Sequence, residues 1–349
     1  MEEKIKSDLL FDLNDITIIP EITTTINSRS EINPYTSSHT LPIIAAPMDT
    51  VVGLKNYHLF VKEGINVCIP RTFLPEIIKN KIKINGDAFV SIGLDDIHII
   101  NTDFFKNISN NILIDIANGH MKKLINAIKL LKNLNPKINL MVGNVANPKT
   151  YKILSEVGAD LVRISIGSGQ ACLTSVQTAI NYPIGSLIYD CVQIKNEING
   201  KPAKIIADGG MKNYSDIIKA LALGADYVMV GSLLNKTIES IGKNYLHGVP
   251  INQNIAEFLY KKLMAPIKKK FRGMSTKEVQ RDWGNGILKT SEGVTRIRRV
   301  EYTLAGWTEN FLDYLKSAMS YTNSKTLDEF IGNVIVKLIT QSALNRIKK

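Results

Sequence analysis

The chain has 349 residues, of which 44% are hydrophobic and 21% are charged, and its formal net charge is +11. This composition is that of a globular enzyme with a deep core, and no apolar run approaches the roughly 20 residues that a membrane helix needs. The first residues include no apolar stretch of the signal-peptide type, so we expect a cytoplasmic protein that does not bind membranes.

The positive charge comes mainly from lysines spread along predicted helices, without arginine clusters or interleaved aromatic residues. This pattern indicates solvated helix faces and predicts no nucleic-acid partner, although it is compatible with anionic small molecules. The three cysteines, Cys68, Cys172 and Cys191, are too widely spaced for a disulfide framework or a zinc site.

Eight short runs rich in β-branched residues alternate with segments of helical period. They cover residues 42–46, 66–70, 89–93, 112–117, 139–144, 161–166, 204–208 and 227–231. Near-continuous apolar strands that alternate with helices are typical of a parallel sheet covered on its outer face. Eight of them predict a closed (β/α)₈ TIM barrel, with a doubly wound open sheet as the competing fold.

Three of the intervening helices are readable. One is bracketed by Asn147 as an N-cap, Pro148 in the first turn and Gly158 at the end. Another, at 121–134, carries an apolar stripe, and a third covers 213–224. The stripe consists of Leu124, Ile128, Leu131 and Leu134.

An N-terminal arm, about residues 1–40, and a part beyond about 265 lie outside the predicted barrel. Within the second part, residues 271–293 are rich in glycine and weakly periodic, which is typical of a mobile flap. With no internal repeat or linker, a single domain over 1–349 is the simplest interpretation.

In such barrels the active site lies at the carboxyl ends of the strands, and phosphate is often held after strands 7 and 8. Those ends read Asp208-Gly209-Gly210 and Gly231-Ser232. Glycines let backbone N–H groups approach phosphate oxygens closely, so the sequence predicts a phosphate site here. Flavin-binding barrels share this device, and tight turns alone would also explain the glycines.

The sixth predicted strand runs into IGSGQACLT, residues 166–174. Cys172 follows the Gly-x-Gly turn at the predicted catalytic face, where backbone N–H dipoles favour a thiolate, so it is a candidate nucleophile. An inert, half-buried thiol is the alternative. Cys68 and Cys191 stand in no such motif and are expected to be inert.

Ten segments in one order make the chain resemble the IMP dehydrogenase/GMP reductase family over nearly its whole length. They are FDLNDITIIP (11–20), NSRSEI (27–32), LPIIAAPMDT (41–50), DIANGH (115–120), VGNVANP (142–148), IGSGQACLT (166–174), IADGG (206–210), GADYVMVGSLL (224–234), FRGMS (271–275) and SEG (291–293). The resemblance implies attack of the Cys172 thiolate on carbon 2 of a purine nucleotide, which gives a covalent thioimidate. In GMP reductases ammonia leaves and NADPH then reduces carbon 2 to give IMP. In IMP dehydrogenases the hydride goes to NAD and water releases XMP.

Three features favour the GMP reductase branch. Only residues 75–88 stand where dehydrogenases usually carry a regulatory domain pair. The flap lacks the Arg-Tyr pair with which dehydrogenases activate water, since Arg281-Asp282-Trp283 comes too early to replace it. DIANGH (115–120) and SAMSY (317–321) resemble the reductase version of the cofactor contacts.

Other positions resemble one branch or the other. The dehydrogenase branch is resembled at Ala46, Arg163, Gly167-Ser168-Gly169 and Arg272, and the reductase branch at Phe271. Reductases commonly have Lys where Arg71 stands and Arg where Lys289 stands. The predicted function is therefore NADPH-dependent GMP reductase. An IMP dehydrogenase and a non-catalytic purine nucleotide-binding protein remain the alternatives.

The family's motifs also imply residue roles. Cys172 is the nucleophile, Thr174 and Glu292 relay the proton to the leaving amine, and Asp208 holds the ribose hydroxyls. An ordinary surface carboxylate is the alternative for Glu292. The phosphate and base would be held by Gly209, Gly210, Gly231, Ser232, Gly273, Met274, Ser275, Ser291 and Gly293.

The resemblance further implies a dinucleotide site, a cation and an assembly. Without a GxGxxG turn, NADPH would bind across the barrel mouth. Its contacts would be Ser28, Arg29, Arg71, Asp115, Ile116, Ala117, Gly167, Lys289 and Ser317. Backbone carbonyls of Gly167, Gly169 and Cys172 resemble the family's potassium site, and the family assembles as homotetramers.

Overall fold

Eight parallel strands close into a barrel in the computed structural model of the protein. The structure describes residues 9–84, 86, 88–282 and 290–347. All eight runs predicted from the sequence are strands of this barrel, so the (β/α)₈ prediction is confirmed. The closed strand order excludes the doubly wound sheet.

The strands follow in chain order as β1 (Ile16–Ile18), β2 (Ile43–Ala45), β3 (Asn66–Ile69), β4 (Ala88–Ile92), β5 (Asn111–Asp115), β6 (Asn139–Val145), β7 (Leu161–Ile164), β8 (Lys204–Asp208), β9 (Tyr227–Val230), β10 (Asn244–Leu246), β11 (Val249–Ile251), β12 (Lys268–Arg272), β13 (Thr295–Arg299) and β14 (Val336–Leu338). Strands β2 to β9 pair in sequence, and β9 closes on β2. Short 3₁₀ turns cover Leu13–Asp15, Arg29–Glu31, Arg71–Phe73 and Ile97–Ile99.

The helices are α1 (Tyr57–Lys62), α2 (Leu74–Asn80), α3 (Thr102–Asn107), α4 (Lys122–Leu134), α5 (Pro148–Glu156), α6 (Thr174–Thr178), α7 (Ile184–Glu197), α8 (Tyr214–Ala222), α9 (Ser232–Asn235), α10 (Gln253–Leu263), α11 (Lys277–Asp282), α12 (Leu304–Tyr321), α13 (Leu327–Phe330) and α14 (Gln341–Ile347). As predicted, α5 begins after Asn147, whose side chain accepts from the Lys149 N–H at 2.9 Å. Among the described residues, no helix combines the length and apolarity of a membrane span.

The barrel strands are buried on both faces, which explains their nearly continuous apolar sequence. Inward-facing residues form one cluster, and the outward-facing ones pack under the helices in a second, larger cluster. In α4, Leu124, Ile128 and Leu131 are buried in this way. The prediction was wrong for Leu134, which is the last residue of the helix and is 44% exposed.

Two small antiparallel sheets lie outside the barrel and were not predicted. One has the order β11-β10-β12-β13, and the other joins β1 of the N-terminal arm to β14 near the C-terminus. The predicted flap, 271–293, connects β12 to β13. Its first part is packed, since Phe271 is 1% exposed and Val279 is fully buried.

Candidate active site

A cavity of about 560 Å³ opens at the carboxyl ends of the barrel strands. Most of the residues predicted from the sequence line it, although they come from seven separate segments of the chain. They are Arg71, Asp115, Ile116, Ala117, Gly167, Gly169, Cys172, Thr174, Asp208, Gly209, Gly210, Gly231, Ser232, Gly273, Met274, Ser275 and Glu292.

The three cysteines differ in their exposure. Cys172 lies at the cavity and is partly exposed, whereas Cys68 and Cys191 are fully buried. Burial raises the pKa of both buried thiols well above the ordinary cysteine range, which keeps them protonated and unreactive. Cys172 is therefore the cysteine that can meet a ligand.

A hydrogen-bonded chain leads away from the Cys172 sulfur. The thiol donates to Thr174 Oγ1 at 3.2 Å, and the Thr174 hydroxyl donates to Glu292 Oε2 at 2.5 Å. Thr174 is the first residue of α6, so its position is fixed by the turn that follows the cysteine. The arrangement can move a proton between sulfur and carboxylate through one hydroxyl group.

Backbone pairing holds Glu292 against the cysteine loop. The Leu173 N–H donates to the Glu292 carbonyl at 2.7 Å, and the Val294 N–H donates to the Ala171 carbonyl at 3.0 Å. Gly273, at the start of the flap, donates to the Val294 carbonyl at 3.0 Å. This short ladder places both ends of the flap beside Cys172.

The turn after β8 has the backbone that a phosphate site needs. Gly209 and Gly210 both adopt φ of 84°, a conformation that side chains disfavour. Within the described part of the chain, neither of their N–H groups has an acceptor. They are available to an anion at the cavity, together with the turn at Gly231 and Ser232 after β9.

A charged cluster lies at the base of the cavity. Arg163 contacts Asp115 at 2.5 Å and Asp208 at 2.8 Å, and Asn144 Nδ2 donates to Asp208 Oδ2 at 2.6 Å. Burial alone would lower the pKa of Arg163, but the two carboxylates outweigh it and hold this pKa above its ordinary value. The guanidinium is therefore charged at every working pH.

Arg272 fixes the flap to the barrel. Its guanidinium binds both carboxylate oxygens of Asp49, at 3.1 and 2.5 Å, and it also contacts Glu278 at 3.1 Å and Asp282 at 2.8 Å. Asp49 follows β2, whereas the other two carboxylates belong to α11 of the flap. The arginine thus joins the barrel and the flap through one charged group.

Some predicted residues do not line the cavity. Arg29 Nη2 donates to Ser317 Oγ at 3.3 Å, and this pair lies apart from the cavity with Ser28. Ser291 donates to the Gly293 carbonyl at 2.8 Å, which shapes the turn beside Glu292. The predicted contact Lys289 lies outside the described residues.

The cavity also contains residues that the resemblance implies for NADPH and for a potassium ion. The cavity reaches from the turns after β8 and β9 to the ends of β3 and β5, so residues predicted to bind the nucleotide and residues predicted to bind NADPH line one cavity. The Gly167 and Gly169 carbonyls each accept one hydrogen bond, from Ser175 and from Cys172, and each keeps a second lone pair for a cation. Within the described ranges no cluster of three or more His, Cys, Asp or Glu residues lies close enough to hold a metal ion.

Several cavity residues were missed as site residues. Asn144 is a polar residue at the end of a predicted barrel strand, within the VGNVANP segment, and this position could have identified it as a site residue. Arg163 was noted only for its likeness to dehydrogenases, although an arginine in an apolar strand is itself a signal because it needs buried partners. Sequence gives no comparable signal for Met48, Gln280 or Thr290, which also line the cavity.

Fold and site together define a parallel barrel with an accessible cysteine in the cavity at the carboxyl ends of its strands. A family model described as the IMP dehydrogenase / GMP reductase domain matches residues 88–348. The chain belongs to this family of oxidoreductases.

Curated relatives extend the match over nearly the whole chain. A GMP reductase of Buchnera aphidicola subsp. Acyrthosiphon pisum is 29% identical over 357 aligned residues, covering 97% of this chain and 97% of the relative. A GMP reductase of Shewanella halifaxensis is 28% identical over 345 residues, covering 93% and 94%. A GMP reductase of Lactococcus lactis subsp. cremoris is 35% identical over 251 residues, covering 67% and 73%.

Proposed function

We propose that this protein is a GMP reductase, which converts GMP to IMP and ammonia with NADPH as the reductant. The observation that carries the proposal is the chain from the Cys172 sulfur through Thr174 to Glu292, at a mouth that also holds Asp208. The three relatives described above bear the name GMP reductase, which supports the same activity.

Nucleotide binding is the first step. The phosphate accepts hydrogen bonds from the backbone of Gly209 and Gly210, and the ribose hydroxyls donate to the Asp208 carboxylate. The base then lies between Cys172 and the flap residue Met274. This orientation presents carbon 2 of the purine to the sulfur.

The covalent step uses the proton chain. As the Cys172 sulfur bonds to carbon 2, the double bond between carbon 2 and nitrogen 3 opens and its electron pair moves to nitrogen 3. The thiol proton passes to Thr174 while the Thr174 hydroxyl proton passes to Glu292. The same route returns a proton to the 2-amino group. The electron pair of nitrogen 3 then restores the double bond as the bond between carbon 2 and the amino nitrogen breaks, so that ammonia departs and a thioimidate remains. Positioned acid–base groups contribute ~10²–10⁴-fold to such steps.

The second half of the reaction is reduction. Arg71, Asp115 and Ala117 would hold NADPH, which supplies a hydride to carbon 2 when it is bound. The carbon–sulfur bond then breaks, the sulfur leaves as a thiolate, and IMP is released. Arg272 keeps the flap closed over the adduct and so limits access of water.

IMP dehydrogenase is the second candidate, favoured by the dehydrogenase-like residues Arg163 and Arg272. That reaction needs a base that activates water to release XMP. Residues 271–293 contain no tyrosine, so the Arg-Tyr pair that serves this purpose in dehydrogenases is absent. This difference favours the reductase.

The test is a spectrophotometric assay of the purified protein with GMP and NADPH, beside a second assay with IMP and NAD. We expect loss of NADPH absorbance and release of one ammonia for each NADPH consumed. Formation of XMP from IMP and NAD, without turnover of GMP, would contradict the proposal. NADH in place of NADPH, under the same conditions, measures the cofactor preference.

Family likeness also supports potassium activation and a homotetramer. For the cation, we expect the rate to fall when sodium replaces potassium at equal ionic strength. For the assembly, light scattering of the purified protein should give four times the mass of the 38.8 kDa chain. An unchanged rate in sodium would contradict potassium activation, and the mass of a single chain would contradict the homotetramer.

A further inference from the structure

Arg163 joins two carboxylates that belong to different parts of the proposed site. The residue is only 6% exposed, and Nη1 donates to Asp115 Oδ1 at 2.5 Å. On its other side, Nη2 and Nε donate to Asp208 Oδ2 at 2.8 and 3.3 Å. One rigid guanidinium therefore contacts both the proposed dinucleotide residue and the proposed ribose residue.

A glycine on the intervening strand makes this bridge possible. Asp115, Gly143 and Arg163 stand side by side on β5, β6 and β7 in the barrel register. A Cβ atom on Gly143 would lie 2.6 Å from the Arg163 Cβ. Because glycine leaves this space open, the arginine side chain can cross β6 and reach Asp115.

The contacts on Asp208 are one-sided. Arg163 and Asn144 both donate to its Oδ2 atom, at 2.8 and 2.6 Å for the closer donors. Within the described part of the chain, no donor contacts Oδ1. One oxygen is thus held by the protein while the other is free to accept hydrogen bonds from a ligand.

We propose that Arg163 is a positioning residue that couples nucleotide binding at Asp208 to dinucleotide binding at Asp115. The inference rests on the proposed function, which puts those two ligands at these two carboxylates. A nucleotide that binds Asp208 holds the Arg163 guanidinium in one orientation, and the guanidinium in turn holds the Asp115 carboxylate in the orientation that the second ligand needs. Lysine cannot replace Arg163, because a single ammonium group lacks the planar set of N–H donors with which the guanidinium binds two separate carboxylates.

The test measures this coupling directly by calorimetry. In a Cys172→Ala parent, which cannot react, we expect saturating GMP to tighten NADPH binding by about fivefold or more. Adding Arg163→Lys should bring this factor close to one. A purely structural role for Arg163 would change the melting temperature and leave the factor intact.

Two further variants complete the design. Asp115→Asn keeps the contacts of Arg163 with Asp208, and should remove the coupling while GMP alone binds within about twofold of the parent. Lys132→Met breaks a comparable ion pair, 2.6 Å from Asp160 at the other end of the barrel, and should keep the full coupling. Coupling that survives in both the Arg163 and Asp115 variants, or that is absent from the parent, overturns the inference.

The outcomes also separate this inference from the proposed function. If the wild type turns over GMP but the coupling ignores Arg163, only the inference fails. If the parent binds IMP and not GMP, the reductase proposal fails. The same calorimetric measurements with IMP and NAD then decide the role of Arg163. A parent that binds neither nucleotide contradicts both.

Discussion

Charged side chains lie at both ends of the barrel, but their partners differ between the two ends. At the amino ends of the strands, Lys132 contacts Asp160 at 2.6 Å, and Lys195 contacts Asp226 through both oxygens at 2.7 and 2.6 Å. Each of these carboxylates also accepts a backbone N–H, from Leu140 and Ile205 respectively. The carboxylates of both ion pairs are therefore satisfied within the protein.

The carboxyl ends keep unused hydrogen-bonding capacity. Gly209 and Gly210 have backbone N–H groups without acceptors in the described part of the chain, and Cys172 remains partly exposed. Unpaired polar groups cost stability when water cannot reach them, so a fold retains them where a ligand completes the pairing. We therefore infer that the carboxyl ends of the strands bind ligands and that the amino ends contribute to stability. Each of the following variants changes one of these two ends.

Cys172→Ala should have the largest effect on activity. Without the sulfur no covalent bond to carbon 2 forms, and we expect kcat to fall by at least about 10³-fold while the fold is retained. Cys191→Ala is the matched control, since that buried thiol should affect the unfolding free energy by about 1 kcal/mol and leave kcat unchanged. Residual turnover in Cys172→Ala near the wild-type rate would remove the proposed nucleophile.

Glu292→Gln should come next. The amide cannot take the proton that Thr174 passes on, so kcat should fall by about 10²–10⁴-fold with a smaller change in KM. Glu301→Gln, a carboxylate paired with Lys236 outside the cavity, serves as the control. Equal kcat values for the two variants would contradict the proton relay.

Arg272→Ala tests the connection between flap and barrel. Loss of its contacts with Asp49 and α11 should reduce kcat/KM by roughly 10–100-fold, the equivalent of one or two charge-assisted hydrogen bonds. Arg299→Ala removes an exposed arginine of β13 and should change kcat/KM little. If both variants behave alike, flap docking through Arg272 is not needed.

Lys195→Met should have the smallest effect on activity. It breaks the pair with Asp226 at the amino end of the barrel and should lower the unfolding free energy by about 1–3 kcal/mol. Since this end holds no ligand in our account, kcat/KM should stay within about twofold. A large loss of activity at constant stability would contradict the division between the two ends.

Much of the fold was predictable because the barrel strands carry their own signal. Both faces of β2 to β9 are covered, so their sequences are short apolar runs that periodicity detects. The loop that carries Cys172 into the cavity was recognised from the cysteine and its Gly-x-Gly turn. These features depend on neighbours in the chain, which a sequence displays directly.

The outer sheet was missed because its strands look solvated. Strand β12 reads Lys-Lys-Lys-Phe-Arg, yet Lys269 is fully buried and donates to the carbonyl of Ile238 at 2.8 Å. Burial lowers the pKa of Lys269 to about 7. A lysine among lysines gives no sign of such burial in the sequence.

The Arg163 bridge was missed for a different reason. Its partners Asp115 and Asp208 lie far away along the chain. The barrel register places Asp115 level with Arg163, and it places Asp208 two residues beyond Ile206, the neighbour of Arg163 on β8. No local pattern contains that register. Contacts of this kind need the fold before they can be recognised.

A crystal structure of the wild-type protein with GMP, grown without the dinucleotide, tests the central claim most directly. We predict the phosphate on the backbone of Gly209 and Gly210, and the Cys172 sulfur roughly 3–3.5 Å from carbon 2 of the base. A phosphate bound elsewhere, or a sulfur turned away from the purine, would contradict the account.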